Sequence, residues 1–357
     1  MSSDASEPPH VLVIDRRSHV EGVSSGTESY EGPDRYVDAV EAVGGTVTFG
    51  DFSTEEEIAQ AVPKADVVVT FQAPISRYII QQMERTELIL RSGVWVDHID
   101  VKAATEHGIA VSNIPGAGRT ALASHAIALM LAAAHDVVYT DRQMREAESG
   151  WGDRPPLNLM DGGTFGIIGF GRVGRAVVEK ARSFDMDLIA CDPYLPDDVF
   201  ARLEVEQVSM NGLLERADCV SVHAPHTAET EGLLSRDEFA RMKDSAVLVN
   251  TARGPIIDTD ALVTAIEEGE LYAAGLDVFP DEPPTGSPVL DCDRIVCSPH
   301  HAGICKEAEE EIYRKGTEEI LRVLTGDHPR FVVNPTVYQY PEGMRLLNPE
   351  KGPFDYT

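Results

Sequence analysis

The sequence predicts an α/β protein of two doubly wound parallel-sheet domains, and three observations carry that prediction. Short β-rich runs alternate with helical stretches in two separate series, and the chain of 357 residues is longer than one core usually fills. A Gly-x-Gly-x-x-Gly spacing joins an apolar strand to a helix at the head of the second series. Alternation of this kind gives parallel strands covered on both faces by their connecting helices.

The first series opens with "HVLVID", then a helix started by Gly32, Pro33 and Asp34 and stopped at Gly44 and Gly45, then "TVTF". Ser53 followed by Glu56 reads as a capping box for the next helix, and "DVVVT" is the next strand. After Ser76 come "ELIL", a helix from Asp100 to His107, and "IAV". The longest apolar run, Ala121 to Val138, is interrupted by Ser124, His125, His135 and Asp136. It is therefore a poor membrane span and reads as one long helix buried between domains or subunits. A polar segment from Glu148 to Gly163 leads into the second series, whose six strands are "TFGIIGF", "DLIACD", "CVSVH", "AVLVN", "AAGLDV" and "RIVCS". A charged amphipathic helix follows Cys305, and a loop-rich tail begins at Asp327.

Composition excludes several function classes. The formal charge is -30, and only seven lysines stand among the thirty basic residues, so no basic patch is available for nucleic acid. An acidic, lysine-poor surface suits a cytoplasm at high salt, where screening relieves self-repulsion. Five cysteines, Cys191, Cys219, Cys292, Cys297 and Cys305, lack a framework spacing and point to a reducing compartment. The start, MSSDASEPPH, has neither the basic nor the apolar region of a signal peptide, so a cytoplasmic location is expected.

Gly169, Gly171 and Gly174 form the glycine fingerprint, with Arg172 and Val173 inside it. The glycines serve the tight turn, the approach of a pyrophosphate to backbone, and helix-on-strand packing. "DLIACD" ends in Asp192, eighteen residues after Gly174, where a carboxylate can bind ribose hydroxyls and repel a 2′-phosphate. The expected cofactor is NAD rather than NADP.

Three later segments end at predicted carboxyl edges: "VNTARGPIID" presents Arg253, "GLDVFPDEPP" presents Asp277 and Glu282, and "CSPHHAG" presents His300. In the run from Cys297 to Cys305, His300 and His301 could be metal ligands, a proton carrier or core residues. A guanidinium, a carboxylate and an imidazole beside a nicotinamide suit hydride transfer to a 2-keto acid. Arginine would hold the substrate carboxylate, histidine would donate the proton, and the glutamate would orient the histidine and raise its pKa.

From about Val94 to Pro335 the chain resembles the D-isomer-specific 2-hydroxyacid dehydrogenase family. The resemblance rests on "DHIDVKAATEHGIAVSNIPG", the glycine fingerprint, "ADCVSVHAPHTAETEGLLSRDEFARMKDSAVLVNTARGPIID", "AAGLDVFPDEPP" and "SPHHAG". It implies that Arg253, Glu282 and His300 are catalytic, that Asp277 holds the nicotinamide amide, and that Thr251 belongs to the cofactor site. His301 becomes a neighbour, and no metal is expected. It also implies a Rossmann NAD-binding domain (118–304) inserted in a discontinuous flavodoxin-like substrate domain (1–117 and 305–357). A homodimer through the NAD-binding domains is implied as well, with no regulatory domain after Pro335.

The chain departs from the family at three places. The loop "RSGVWVDHID" usually carries a second glycine, and here that position is Trp95, so the substrate-binding set Gly93, Val94 and Trp95 leaves the substrate class open. Trp95 could narrow the pocket, stack on an aromatic acid, or pack as core. His226 stands where an apolar residue is usual and reads as an exposed loop residue. Glu282 disfavours formate, since the family's formate enzymes carry an amide there. The leading expectation is an NAD-dependent reductase of a small 2-keto acid such as glyoxylate or hydroxypyruvate. The alternatives are an NADH-sensing interaction protein like the family's C-terminal-binding corepressors, and a dehydrogenase of an oxyanion such as phosphite.

Overall fold

A computed structural model describes residues 7–14, 35–145, 157 and 159–339. The predicted helix start at Gly32 to Asp34 and most of the segment from Glu148 to Gly163 lie outside the described residues. The chain forms two compact units, one of residues 1–117 with 306–357 and one of residues 118–305.

The first unit runs β1 (His10–Val13), α1 (Arg35–Glu41), β2 (Thr46–Phe49), α2 (Glu55–Ala61), β3 (Val67–Thr70), α3 (Arg77–Ile80), β4 (Leu88–Arg91), α4 (Val101–Glu106) and β5 (Ala110–Ser112). Its sheet is parallel, in the order β2-β1-β3-β4-β5 that doubly wound flavodoxin-like sheets adopt. Alternate strand residues feed two cores: Val11, Val13, Val67 and Val69 on one face, Leu12, Ile14, Val68 and Ile89 on the other. This is why the strands read as continuous apolar runs instead of alternating ones. The return helix, Lys306–Leu324, buries Ile312, Tyr313, Gly316 and Ile320 in the first of these cores.

One expectation changes here. The capping box belongs to Thr54 and Glu57, one residue beyond the predicted pair. Thr54 Oγ1 accepts from the Glu57 N–H (3.2 Å) and Glu57 accepts from the N–H groups of both Ser53 and Thr54. The tail after Asp327 is loop-rich, as expected, and is tied to the first sheet. Val332 bridges antiparallel to Ser112, Val333 N–H donates to Val111 O (2.8 Å), and buried Asn334 accepts from Val111 N–H (2.7 Å).

The second unit contains α5 (Arg119–Ala134), α6 (Val137–Arg145), β6 (Thr164–Ile168), α7 (Arg172–Ala181), β7 (Asp187–Cys191), α8 (Asp197–Arg202), β8 (Glu206–Gln207), α9 (Met210–Arg216), β9 (Cys219–Val222), α10 (Arg236–Phe239), β10 (Val247–Asn250), α11 (Thr259–Glu267), β11 (Ala273–Leu276) and β12 (Ile295–Cys297). Its strand order is β12-β11-β10-β9-β6-β7-β8, all parallel. The sheet has seven strands against the six expected, because the exposed pair Glu206–Gln207 has no apolar signal and joins only as an edge. The predicted long helix is two. Asp136 adopts φ 51° and ends α5, and α6 leaves at 61° with no buried residue. Among the described residues no single helix is long and apolar enough to cross a membrane.

Placement of the cap at Thr54 has a direct check. Thr54→Ala should cost about 1 kcal/mol in urea unfolding, while Ser53→Ala should change the midpoint little.

Candidate active site

All strands of the second sheet are parallel, so the carboxyl ends of β6, β7, β9, β10, β11 and β12 lie on one edge, and the strand order reverses between β6 and β9. Open α/β sheets bind ligands outside that edge, at the reversal. Gly169 follows β6 directly with φ 87°, and a Cβ there would lie 2.6 Å from the Ala224 nitrogen. Gly174 packs as tightly, since its Cβ would meet the Gly169 carbonyl at 2.4 Å. Gly171 is different: a Cβ would find nothing within 4 Å, so the turn is open on its outer side. Arg172 and Val173 begin α7, where the first N–H groups have no intrahelical acceptor. Arg172 is exposed, and Val173 is half-buried against the core.

At the end of β7, Asp192 accepts from Phe170 N–H (2.9 Å) through one oxygen and from Tyr194 N–H (3.0 Å) through the other, which fixes its carboxylate beside the glycine turn. Thr251, just past β10, is buried and its hydroxyl has no hydrogen-bond partner among the described residues. An open turn, helix N–H donors, a fixed carboxylate and an unpartnered buried hydroxyl together fit a dinucleotide. His223 at the end of β9, to which sequence reasoning gave no role, backs this turn. Its Nε2 lies 2.8 Å from Ser221 Oγ, and burial pushes the imidazole down to about 3, so it is neutral.

Arg253, Glu282 and His300 come together on the same edge. Gly254 allows it: a Cβ there would sit 1.9 Å from the Phe279 carbonyl carbon, so the backbone after Arg253 lies directly on the loop that leads to Glu282. Asn250 Nδ2 holds the Arg253 carbonyl (3.0 Å), and Arg253 Nη1 donates to Ala252 O (2.8 Å). Glu282 accepts from Phe279 N–H (3.0 Å) and from His300 Nδ1 (2.7 Å). An ionised carboxylate only accepts, so Nδ1 carries a proton and Nε2 is the nitrogen left for proton transfer. The His300 and Glu282 side chains are 48% and 37% exposed, open to a ligand. Burial pushes Glu282 upward, but the hydrogen bond and charge of His300, the Phe279 N–H and the charge of Arg253 outweigh it. The net shift is down, and Glu282 is ionised at neutral pH.

Asp277, just past β11, is only 1% exposed. Its carboxylate accepts from Ser298 Oγ (2.6 Å), His301 N–H (3.1 Å) and Ala302 N–H (2.9 Å), and its carbonyl accepts from His300 N–H (2.8 Å). It therefore clamps the loop on which His300 sits at φ 49°. Sequence reasoning found no cluster of metal-type ligands apart from the Cys297 to Cys305 run. The fold gathers His125, Asp277 and His301, whose ligating atoms lie within 4.8 Å of one another, and this set includes neither cysteine. No sequence signal could have found it, because His125 is 152 residues from Asp277 (277 - 125). His226 is exposed, as expected.

In the first unit, the loop Gly93 to Trp95 follows β4. Four successive carbonyls are taken from within the unit: Ser92 O by Arg91 Nη1 (2.8 Å), Gly93 O by Ile114 N–H (2.7 Å), Val94 O by Asn113 Nδ2, and Trp95 O by Arg91 Nε (2.9 Å). Val94 packs against the core and Trp95 is half-buried.

Comparison with known proteins agrees with the geometry. The D-isomer specific 2-hydroxyacid dehydrogenase, NAD binding domain, matches residues 127–302. A D-3-phosphoglycerate dehydrogenase of Methanocaldococcus jannaschii is 40% identical over 285 residues, 79% of this chain and 54% of that one. A glyoxylate reductase of Korarchaeum cryptofilum is 36% identical over 80% of this chain and 87% of its own. A solved glyoxylate reductase from Paecilomyes thermophila superposes with a TM-score of 0.80 at 27% identity, covering 92% of this chain and 99% of that one. The chain belongs to the D-isomer-specific 2-hydroxyacid dehydrogenase family, and its second unit carries the family's NAD-binding domain. It spans about half the length of the phosphoglycerate dehydrogenases it matches, 54% in the M. jannaschii case.

The depressed Glu282 carboxylate gives a pH prediction. Its folded value lies below its unfolded one, so the pair contributes stability above the ordinary carboxylate range and loses it as pH falls through the depressed value. Unfolding free energies measured from pH 7 to 3 should fall less steeply for Glu282→Gln than for the parent chain.

Proposed function

We propose that this protein is an NAD-dependent reductase of a small 2-keto acid, giving the D-2-hydroxy acid, with glyoxylate or hydroxypyruvate the favoured class of substrate. The observation that carries the proposal is the Glu282–His300 pair at 2.7 Å, with Arg253 beside it, on the sheet edge that also carries the glycine turn. The nicotinamide, when bound, supplies or accepts the hydride. Arg253 forks the substrate carboxylate and polarises the ketone, and His300 Nε2 delivers the proton that the new hydroxyl needs. Glu282 fixes the imidazole through Nδ1 and so leaves Nε2 for the transfer. In the reverse direction the same Nε2 takes the hydroxyl proton.

The cofactor site in this proposal consists of Gly169, Gly171, Arg172, Val173, Gly174, Asp192, Thr251 and Asp277. Asp192 selects against the 2′-phosphate of NADP. The loop Gly93, Val94 and Trp95 serves as the substrate-binding element of the first unit, its carbonyls being occupied elsewhere. Glu282 disfavours formate as substrate, because a carboxylate–imidazole pair is built to move a proton that formate oxidation does not release from a hydroxyl.

We propose further that the protein acts in a high-salt cytoplasm and as a homodimer. Support for the dimer comes from α6, where Val137, Val138 and Met144 are 51%, 51% and 61% exposed. The high-salt reading rests on the formal charge of -30.

NADH oxidation in concentrated potassium chloride, followed with glyoxylate, hydroxypyruvate, pyruvate, phenylpyruvate and 3-phosphohydroxypyruvate, tests the activity. One small keto acid should turn over. His300→Ala should lower kcat by about 10²- to 10⁴-fold with NADH binding retained. Arg253→Ala should lower kcat/KM by about 10- to 100-fold or more, and Asp192→Ala should narrow the preference for NADH over NADPH. Silence across the panel with NADH bound would reject the reductase. A thermal unfolding series in decreasing salt checks the environment: the midpoint should fall steadily as screening is withdrawn, and a flat response would reject the high-salt reading.

A further inference from the structure

We propose that His125 is a positioning residue for His300, acting through Ser298 and Asp277; the proposal rests on the reductase reading above. The direction of each hydrogen bond can be assigned from chemistry. Both oxygens of buried Asp277 already accept backbone N–H groups, from His301 and Ala302, and the Ser298 hydroxyl donates to its Oδ1 across 2.6 Å. Ser298 Oγ then has only lone pairs to offer, and His125 Nε2 at 2.8 Å must be the donor. His125 is thus held as the Nε2–H tautomer. Burial lowers its pKa, Asp277 offsets part of that and His301 adds to it, so the net shift is down and the ring is neutral.

What the relay holds is a strained loop. His300 adopts φ 49°, a left-handed conformation that costs a non-glycine residue about 1–2 kcal/mol and persists only where its surroundings over-determine it. Asp277 provides that over-determination. Its two carboxylate oxygens and its carbonyl take the N–H groups of three consecutive residues, His300, His301 and Ala302. Oδ1 is shared between Ser298 and His301, so the rotamer of Asp277 depends on where the Ser298 hydroxyl points, and that depends on His125. The far end of the loop is fixed against the same helix, since a Cβ on Gly118, which caps α5, would lie 2.8 Å from the Gly303 carbonyl.

The same three groups, His125, Asp277 and His301, could be read as a metal site. The bond directions argue otherwise. His125 Nε2 already carries a proton and Asp277 Oδ1 already takes two donors, so an ion would have to break the contacts that hold the loop.

The test compares His125→Leu, His125→Gln, Ser298→Ala and the double variant His125→Leu/Ser298→Ala. His125→Leu and Ser298→Ala should each lower kcat by about tenfold, the scale expected when a catalytic group is misplaced by less than an ångström. The loss in kcat should exceed any loss of NADH affinity, since Asp277 also belongs to the proposed cofactor site. His125→Gln, whose amide can still donate to Ser298, should recover most of the loss. The double variant should be no worse than the poorer single one, because both remove one chain of bonds. Parent-level kcat in His125→Leu, or losses that multiply in the double variant, would overturn the proposal. Imidazole ¹⁵N NMR of the resting protein separates it from the reductase reading. If no keto acid turns over, the Nε2–H tautomer at His125 and a shifted His300 signal in Ser298→Ala would still support the relay, and an Nδ1–H tautomer would reject it.

Discussion

The second unit depends on one buried carboxylate. Asp277 leaves the end of β11 and takes a hydroxyl and two backbone N–H groups on its oxygens, with a third N–H on its carbonyl. A buried ion is costly unless its lone pairs are satisfied, and here satisfying them and ordering the His300 loop are the same event. The loop could not hold φ 49° at His300 by its own propensity. The carboxylate therefore links the sheet, which is rigid, to the one imidazole whose placement the proposed chemistry cannot relax.

Parallel topology does the rest. Because every strand of the second sheet points the same way, each strand end delivers its next residues to a common edge: a glycine turn from β6, Asp192 from β7, His223 from β9, Thr251 and Arg253 from β10, Asp277 from β11, and Ser298 and His300 from β12. Residues far apart in sequence become neighbours without any long-range pairing of their own. Close backbone packing supplies the last ångströms, as where Gly254 lies on Phe279 and Gly174 lies on Gly169. A side chain at either glycine would push apart the segments that carry the reacting groups.

How much of this the sequence shows depends on the range of the physics involved. Strands buried on both faces stand out as apolar runs, and the glycine turn, Asp192 and the Arg253, Glu282 and His300 segments have local signatures. Elements without such a signature were missed or misplaced. The two-residue strand Glu206–Gln207 is polar and exposed, and the break at His135 and Asp136 falls within an apolar run that periodicity extends through Val138. Ser53 and Thr54 both precede a glutamate by three residues, so the capping box has two registers in sequence and only backbone direction chooses Thr54. The burial of Asp277 and its link to His125 were illegible for a different reason. They arise when α5 packs on the sheet, and nothing local to either residue encodes it.

The acidic surface and the ordered interior obey different electrostatics. Exposed pairs such as Arg145–Asp141, Arg202–Asp198 and Arg314–Glu318 are one helical turn apart, solvated and weakened by salt. Two buried carboxylates, Asp277 and Glu319, are held by neutral donors instead. Asp277 uses Ser298 and two backbone N–H groups, and Glu319 of the return helix uses Ser112 and the N–H groups of Arg330 and Phe331. Hydrogen bonds to fixed, buried dipoles are little affected by ions in the solvent, since screening acts on exposed charge. Glu282 stands between the two regimes, with one oxygen on the Phe279 N–H and the other on the imidazole that must change its charge. A chain with so large an acidic excess can thus vary its surface charge with its surroundings while the His300 loop stays fixed, because the bonds that clamp it come from buried Asp277, Ser298 and backbone N–H groups.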